Sequence, residues 1–232
     1  MRKFILLVFI FALTAKEKRF AKQFFTFAQC LNEDNKPVDF FYSYKLPRIK
    51  KLNLDGYEYS YITSEDVSGD EENLIARTLR FPMLKSDHFI LAYNDEEPNG
   101  PNDDTGGHTK GVFATDGNVG FWIVHSVPKF PDINSFHYPE NAVHNGQSFL
   151  CISVNSSEIE TVGEQLIYNE VNIYGSKIPP KLKGKFPKLE DAIQKKWKKN
   201  GPFENLKEFK SLNGTKFLSF AKGRHFNKEL YV

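Results

Sequence analysis

A histidine and a lysine two positions apart, His108 and Lys110, form the feature of the sequence with the most evident chemistry. Side chains two apart share one face of a β-strand, so we expect both to project from the same side of a sheet while Thr109 points away. The lysine would bring positive charge to the oxygens of a phosphate group, and the imidazole could act as a nucleophile, an acid or a base. Without further context, a single His-x-Lys in a strand is usually a surface pair.

The segment that carries this pair is predicted to form a hairpin. Two β-favouring runs, 108–115 and 119–127, flank Asp116-Gly117, a dipeptide suited to the positive φ angles of a tight turn. If these two residues close a two-residue loop, His125 lies directly opposite His108, about 5 Å away. A three-residue loop would place His125 on the opposite face. The sequence therefore adds His125 to the catalytic candidates, with its position depending on the turn.

The rest of the chain predicts an α+β fold, a mixed β-sheet flanked by helices, because strand and helix patterns alternate irregularly. Further strands are expected at 38–46, 57–63, 89–93, 148–154 and 215–221. Helices are expected from a cap at Ser68 or Asp70 through Arg80 with Pro82 just beyond, at 157–168, and at 189–199.

The composition allows a substantial core and does not by itself indicate a partner. A length of 232 residues with 40% hydrophobic content suits one domain or two. A net charge of +2 is too small to demand a nucleic-acid partner. Lysines are nevertheless concentrated in 177–199, and the candidates for DNA binding there are Lys195, Lys196, Lys198 and Lys199. A solvated lysine-rich surface is an equally good interpretation.

The N-terminal residues 1–15 have the anatomy of a secretory signal peptide: two basic residues, a short apolar run and small residues at its end. Cleavage is expected after Ala15 or as late as Ala28, and the folded domain is expected to span 29–232. No later segment is apolar for long enough to form a membrane helix. We therefore expect a protein of the secretory pathway, secreted or lysosomal, with no membrane association after signal removal.

In a secreted protein, the two cysteines are expected to form a disulfide and two sequons become candidate glycosylation sites. In an oxidising compartment Cys30 and Cys151 can pair, closing a long loop and contributing about 3 to 5 kcal/mol. Two buried free thiols are the less favoured alternative. Asn155 and Asn213 each begin an Asn-x-Ser/Thr sequon for glycosylation, although such sequons are frequent by chance. No cysteine or carboxylate spacing supports a zinc site with His125, His137 or His144, so no metal is expected.

Several blocks of the sequence, in order along the chain, resemble the deoxyribonuclease II family. The most specific are 107–112, GHTKGV, and 120–128, GFWIVHSVP. The other matching blocks are 37–41 (PVDFF), 44–47 (YKLP), 93–95 (YND), 146–151 (GQSFLC) and 219–222 (SFAK). The resemblance covers nearly everything after Cys30.

The resemblance implies a fold similar to the phospholipase D superfamily, in which two His-x-Lys motifs meet across a pseudo-twofold axis. One histidine attacks phosphorus to form a phosphohistidine, and its counterpart protonates the leaving oxygen. His108 and Lys110 match the first motif, His125 matches a further histidine associated with activity, and Cys30 with Cys151 match a family disulfide. The implied reaction is cofactor-free and metal-independent hydrolysis of DNA at acidic pH, leaving 3′-phosphate ends.

The sequence departs from the family pattern because it contains no second His-x-Lys. Relatives are expected to continue beyond the 219–222 block into a half that carries it, so this chain resembles somewhat more than one half of the pseudo-dimer. Three alternatives follow. The chain is part of an active nuclease; or two copies form a homodimer that brings two His-x-Lys motifs together; or the protein is an inactive secreted module that binds DNA or a partner protein.

Overall fold

The centre of the molecule is a seven-stranded antiparallel sheet, seen in a computed structural model that describes residues 28–56, 59–63, 74–102, 105–134 and 138–228. The predicted signal peptide, its cleavage after residue 15 and the predicted helix caps at Ser68 and Asp70 lie outside these residues. So does His137.

Eleven strands are present in the described part of the chain. In chain order they are β1 Cys30–Leu31, β2 Pro37–Val38, β3 Phe40–Lys45, β4 Tyr59–Thr63, β5 Phe89–Tyr93, β6 Lys110–Thr115, β7 Val119–His125, β8 Gln147–Asn155, β9 Ile173–Lys177, β10 Glu204–Lys210 and β11 Lys216–Lys222. The large sheet has the order β4-β3-β8-β7-β6-β5-β9, while β1-β2 and β10-β11 form separate two-stranded sheets. The α-helices are α1 Leu74–Leu84, α2 Ile159–Tyr168 and α3 Pro187–Ile193. The predicted α+β class is confirmed.

The central strands are apolar on both faces because the sheet is covered on both faces. In β6, Val112 and Ala114 face one core, whereas Phe113, between them, faces the other. The first core is covered by α1 and the β1-β2 pair, and the second by α2, α3 and the β10-β11 hairpin. This two-sided burial explains the continuous hydrophobic runs in β5 and β7.

The predicted disulfide is present. Cys30 in β1 is bonded to Cys151 in the middle of β8, across a sequence separation of 121 residues. Both cysteines are completely buried. The bond therefore fixes the N-terminal strand pair to the centre of the sheet. Within the described residues, no helix is both long enough and apolar enough to cross a membrane.

Two predicted helix ends were wrong. The helix α1 continues through Pro82 to Leu84, and Pro82 is buried although its ring nitrogen cannot donate a backbone hydrogen bond. The helix α3 ends at Ile193 instead of Lys199, because Lys195 adopts a left-handed conformation with φ of 52°. The backbone amides of Lys195 and Lys196 then donate to the carbonyls of Ala192 and Asp191, which closes the helix in a Schellman-type ending. Lys196, Lys198 and Lys199 consequently follow the helix.

Three strands have no counterpart in the sequence prediction, and one predicted strand begins later than expected. β1 is only two residues long, and most residues of β9 and β10 are partly or fully exposed, so none of the three forms a long apolar run. β6 begins at Lys110, so His108 and Thr109 precede the strand instead of forming its first pair. The backbone of His108 is therefore set by the preceding loop.

Candidate active site

His108 and Lys110 are brought together by a carboxylate, Asp95. The Nδ1 atom of His108 lies 2.8 Å from one oxygen of Asp95, and the Nζ atom of Lys110 contacts the other oxygen. A second carboxylate oxygen, from Glu96, lies 3.5 Å from the same Nζ. The His-x-Lys pair is thus one part of a charged cluster with two acids.

The position of Asp95 follows from the sheet topology. β5 pairs with β6 so that Tyr93, the last residue of β5, faces Gly111. The chain then leaves the sheet at the end where Lys110 begins β6, and Asp95 lies two residues further on. Asn94 fixes this turn, because its buried amide donates to the carbonyls of Val127 and Phe130, both at 3.0 Å.

Sequence reasoning missed Asp95 as a site residue, although a signal was present. An acid just after one strand and a His-x-Lys at the start of the next antiparallel strand must lie at the same sheet edge. The Tyr93-Asn94-Asp95 block forms part of the family resemblance, but that resemblance assigns no contact to Asp95.

Two glycines place His108 against the loop that follows α2. The amide of Gly107 donates to the carbonyl of Glu170 at 2.9 Å. A Cβ atom on Gly107 would overlap the carbonyl oxygen of Asn169, and one on Gly106 would lie 2.8 Å from the carbonyl oxygen of Glu170. Only glycine permits this close approach of the two backbones.

The contact with Asp95 selects one tautomer of His108. A carboxylate can only accept a hydrogen bond, so Nδ1 must carry the proton and donate it to Asp95. In the neutral ring this leaves the lone pair on Nε2. The His108 side chain is 86% exposed, so an accessible imidazole is held with a defined nucleophilic nitrogen.

Lys110 is placed differently from the projecting lysine that the pattern predicts. Its side chain is only 5% exposed and is enclosed by Asp95 and Glu96. Thr109 does point away, as expected, since its side chain hydrogen-bonds to the buried Tyr93 hydroxyl on the opposite face. The ammonium of Lys110 offsets part of the negative charge beside His108 and fixes the carboxylate that orients the ring.

The predicted hairpin forms, but its register differs from the predicted one by two residues. Thr115 pairs with Gly120, and Lys110 pairs with His125. The turn is centred on Gly117 and Asn118, with Gly117 at φ of 102°; the backbone amide of Asp116 donates to the carbonyl of Val119. His125 therefore lies opposite Lys110 and not opposite His108.

An even shift keeps side chains on the same face, so His125 still lies on the Lys110 side of the sheet. The His125 ring is buried and packs against Phe130 and Phe149, with ring centres 5.5 and 5.8 Å away. The amide of Val127 donates to Nδ1 at 3.1 Å. Burial, followed by the positive charge of Lys110, lowers the pKa of His125 to about 3. His125 is thus neutral at mildly acidic pH, with its proton on Nε2, which has no hydrogen-bond partner within the described residues.

The four candidate DNA-binding lysines lie at the same end of the molecule as His108. α2 begins at the end of the sheet that carries the β6-β7 turn, and it ends at Tyr168, next to the loop that anchors Gly107. α3 runs alongside α2. Lys198 lies over the Tyr168 ring at 5.3 Å, and Lys195 lies over Trp197 at 5.6 Å. Lys196 pairs with Asp191 at 2.8 Å, and Lys199 is exposed.

The sequons and the other histidines are separate from this site. Asn213 is exposed in the β10-β11 turn, and Asn155 is partly exposed at the end of β8. Of the remaining described histidines, His144 is exposed and His88 pairs with Asp87 at the opposite end of β5. His225, next to Arg224, is exposed and packs against the Phe203 ring, with ring centres 5.2 Å apart. In the described part of the chain, no group of three or more His, Cys, Asp or Glu side chains is arranged to hold a metal ion.

The other face of the sheet carries an apolar groove of about 310 Å³. Its walls include Tyr42 of β3, Val124 of β7 and Leu150 of β8, together with Leu218 of β11. The Val124 side chain lies on the sheet face away from Lys110, because it alternates with His125 along β7. His125 and Ser126 line the end of the groove where β7 ends. Tyr42 and Leu218 are 44% and 67% exposed, so apolar surface is open to solvent here.

Comparison with known proteins places this arrangement in a family. Residues 29–232 match the family model described as Deoxyribonuclease II. The chain is 37% identical over 221 residues to Plancitoxin-1 of Acanthaster planci, covering 87% of this chain and 62% of that protein. It is 33% identical over 227 residues to Deoxyribonuclease-2-alpha of Mus musculus, with coverage of 87% and 62%. For Cell death-related nuclease 6 of Caenorhabditis elegans the identity is 32% over 219 residues, with coverage of 88% and 58%. The chain thus spans about three fifths of the length of these curated relatives.

Proposed function

The chain belongs to the deoxyribonuclease II family, and from this premise we propose that it is an endodeoxyribonuclease in which His108 is the nucleophile. The observation that carries the proposal is the bond between His108 Nδ1 and Asp95 at 2.8 Å. This contact presents Nε2 of an exposed imidazole as a lone-pair donor. Carboxylate-oriented histidines of this kind are a recurring arrangement in nucleophilic and acid-base catalysis.

In the proposed first step, Nε2 of His108 attacks a phosphodiester phosphorus. The bond from phosphorus to the 5′-oxygen breaks, and the 3′-phosphoryl group stays on the histidine. The ring becomes positively charged and is stabilised by Asp95, which remains ionised. In the second step a water molecule attacks phosphorus and returns a proton to the group that protonated the 5′-oxygen, Nε2 leaves, and a 3′-phosphate end is released.

The leaving 5′-oxygen needs a proton, and the donor must be an acid of suitable pKa. His125 is unsuited to this task, because it is buried and stays neutral above about pH 3. We propose that a counterpart His-x-Lys supplies the proton. The need for a protonated donor makes the reaction fastest at acidic pH.

A second copy of the chain is one source of that counterpart. The proposal of a homodimer draws support from the exposed apolar groove that includes Tyr42 and Leu218, since an interface requires such a surface. Additional residues of a longer protein are the other source, because the relatives are longer than this chain. Light scattering of the purified chain distinguishes a dimer from a monomer.

We propose that His125 is a positioning residue, which supports the part of the sheet that carries Lys110. It lies across the ladder from Lys110, and its Nδ1 accepts the amide of Val127 at the start of the turn that Asn94 also holds. Its ring therefore supports the strand ends from which Lys110 and Asp95 approach each other. The proton-transfer step is not assigned to it.

The proposed setting is secretion or the lysosome. The signal-like residues 1–15, the buried Cys30–Cys151 disulfide and the sequons at Asn155 and Asn213 all suit that pathway. The scheme uses protein side chains alone, so the reaction is proposed to be independent of metal ions and of organic cofactors.

Nicking of supercoiled plasmid at about pH 5 in the presence of a chelator tests the proposal. The native chain is expected to convert supercoiled to relaxed DNA, and His108→Ala is expected to lose this activity. DNA retention without nicking in either protein would favour the alternative, an inactive module that binds DNA. Absence of both nicking and DNA binding would leave only a module that binds a partner protein.

A further inference from the structure

The immediate surroundings of His108 carry too little positive charge to attract a polyanion. The one buried cation there, Lys110, is paired with both Asp95 and Glu96. With His108 neutral, this cluster has a formal charge of −1. Binding of a DNA backbone therefore requires cations outside the cluster.

Arg224, which directly follows the β10-β11 hairpin, is the best oriented of the neighbouring cations. Its Nε donates to Glu170 at 2.5 Å, and the guanidinium lies 5.1 Å from the centre of the Trp197 ring. Glu170 is only 4% exposed, whereas 46% of the Arg224 side chain faces solvent. The arginine is thus fixed on one side and open on the other, which suits bidentate binding of a phosphate.

Aromatic rings hold further ammonium groups in the same region. Lys198 lies 5.3 Å from the centre of the Tyr168 ring. Lys222 and Lys228 lie 5.9 and 6.0 Å from the centre of the Phe226 ring. Contacts of this kind reduce the freedom of a lysine. For Lys222 the ammonium is also positioned by a hydrogen bond from its Nζ to the carbonyl of Lys228 at 3.0 Å. In sequence or structure these four cations, Arg224 included, lie close to three acids, the buried Glu170, Glu204 of β10 and Glu229, so the formal charge of the region is +1.

This region is continuous with the loop that carries His108. The turn after α2 touches both, because Gly107 donates to the carbonyl of Glu170 at 2.9 Å, and the amide of Lys222 donates to the side chain of Asn169 at 3.3 Å. The carboxylate of Glu170 in turn holds Arg224. One turn thus links the nucleophile loop to the cation cluster.

We propose that Lys198, Lys222 and Arg224 form a phosphate-binding track that holds the DNA backbone on one side of His108. The inference rests on the proposed nuclease function and adds residues to it that the sequence did not indicate, Lys222 and Arg224. It also divides the lysine-rich stretch into two parts. Lys198 belongs to the track, whereas Lys185 donates to the carbonyl of Gly117 at the far turn of the hairpin, and Lys181 approaches Asp87 at that same end.

The lysines at the end of the molecule remote from the track supply a matched control. Lys183 is an exposed lysine of the same stretch, located at the far end. Lys183→Gln removes the same charge as Lys222→Gln without touching the track. Because Arg224→Gln could leave the buried Glu170 unpaired, the double variant with Glu170→Gln is measured beside it.

Binding is measured by fluorescence anisotropy of a labelled DNA duplex over a series of NaCl concentrations. All proteins carry His108→Ala so that the duplex is not cleaved. Lys222→Gln, and Arg224→Gln with or without Glu170→Gln, are each expected to weaken binding roughly three- to tenfold and to lower the salt slope by about one. Lys183→Gln is expected to match the reference. In the native background, the track variants are expected to raise KM for plasmid nicking without changing its pH profile.

Failure of the track and failure of the nuclease proposal give different results. If the native chain nicks plasmid while the track variants bind and cleave as the reference does, the track is wrong and the nuclease function stands. If the native chain neither nicks nor binds DNA at low salt, both proposals fall. If Lys183→Gln weakens binding as much as Lys222→Gln, binding is a diffuse charge effect and the track is wrong.

Discussion

At the scale of single residues, the site depends on one carboxylate with two partners. Asp95 orients His108 and neutralises Lys110, so its charge matters for both. The same atoms explain why Lys110 is buried: a lysine in this position is tolerated because two acids pair with it.

Asp95→Asn is expected to reduce nicking by at least about 100-fold, because an amide no longer fixes the Nδ1–H tautomer of His108. It is also expected to alter the pH profile, which a general loss of stability would not do. Asp87→Asn is the matched control, since Asp87 also contacts a histidine, His88, at 2.9 Å, but at the far end of β5. Unchanged nicking by Asp95→Asn would show that the contact is not used in the reaction.

His125 is expected to make the fold less stable in acid. Its pKa is lowered to about 3 in the folded protein, against about 6.5 in the unfolded chain. Between these values the unfolded state binds the extra proton, so the free energy of unfolding falls as pH decreases below about 6.5. At pH 5 the loss from this group is about 2 kcal/mol relative to neutral pH.

Urea unfolding at pH 7 and pH 5 measures this effect. His125→Phe is expected to show a smaller loss between the two pH values than the native chain. His144→Asn, at an exposed position, is the control and is expected to lose as much as the native chain. An equal pH dependence in His125→Phe and the native chain would contradict a buried neutral histidine.

At the scale of elements, the loop before β6 holds the nucleophile in place. Gly107→Ala is expected to lower nicking by at least about tenfold, because the added methyl group overlaps the carbonyl of Asn169 and forces the loop away from α2. Hydrogen exchange is expected to increase at residues 106–109 while the core strands keep their protection. Gly201→Ala, where the nearest atom to an added Cβ is 3.7 Å away, is the control. Full activity in Gly107→Ala would show that this anchoring is unimportant.

The disulfide belongs to the same scale, because it connects β1 to β8. Replacing both cysteines by serine is expected to lower the free energy of unfolding by about 3 to 5 kcal/mol, since a long loop is released in the unfolded chain. Denaturant unfolding of the double variant, compared with the native chain under oxidising and reducing conditions, measures the change. Equal midpoints for the two proteins under oxidising conditions would contradict this expectation.

Local patterns predicted the elements of the sheet better than their exact ends. β5 was predicted with its observed bounds because it is a continuous apolar run between polar turns. The turn of the β6-β7 hairpin was misplaced by one residue, since Asp116-Gly117 and Gly117-Asn118 both suit tight turns and nothing local chooses between them. β10 could not be found, because its register depends on packing against α2, through bonds between Gln165 and Asn205.

The site itself was only partly predictable. His108 and Lys110 follow from spacing, but their contact with Asp95 depends on the pairing of β5 with β6, which is a tertiary property. Trp122 is a further example: it is buried, and its indole donates to the Tyr93 hydroxyl at 3.0 Å, a contact that also depends on strand pairing.

At the scale of the whole molecule, one His-x-Lys and an open apolar groove coexist on the two faces of one sheet. The chain covers about 60% of the relatives' length, and the proposed chemistry needs a proton donor, for which we propose a counterpart His-x-Lys. We therefore expect the complete active site to form only when a second His-x-Lys, from another copy of the chain or from a longer protein, joins the one described above. If light scattering shows a dimer, Leu218→Glu in the groove is expected to dissociate it and to reduce nicking, whereas a variant that stays dimeric and active would place the interface elsewhere.

The central claim is that His108 attacks DNA phosphorus, and capture of the covalent intermediate tests it most directly. Labelled DNA is mixed with the chain at about pH 5, the reaction is quenched in alkali, where phosphohistidine survives, and the modified peptide is identified by mass spectrometry. We expect a phosphoryl-DNA adduct on His108 that is absent in His108→Ala. Cleavage of DNA with the adduct on another residue, or undiminished cleavage by His108→Ala, would contradict the account.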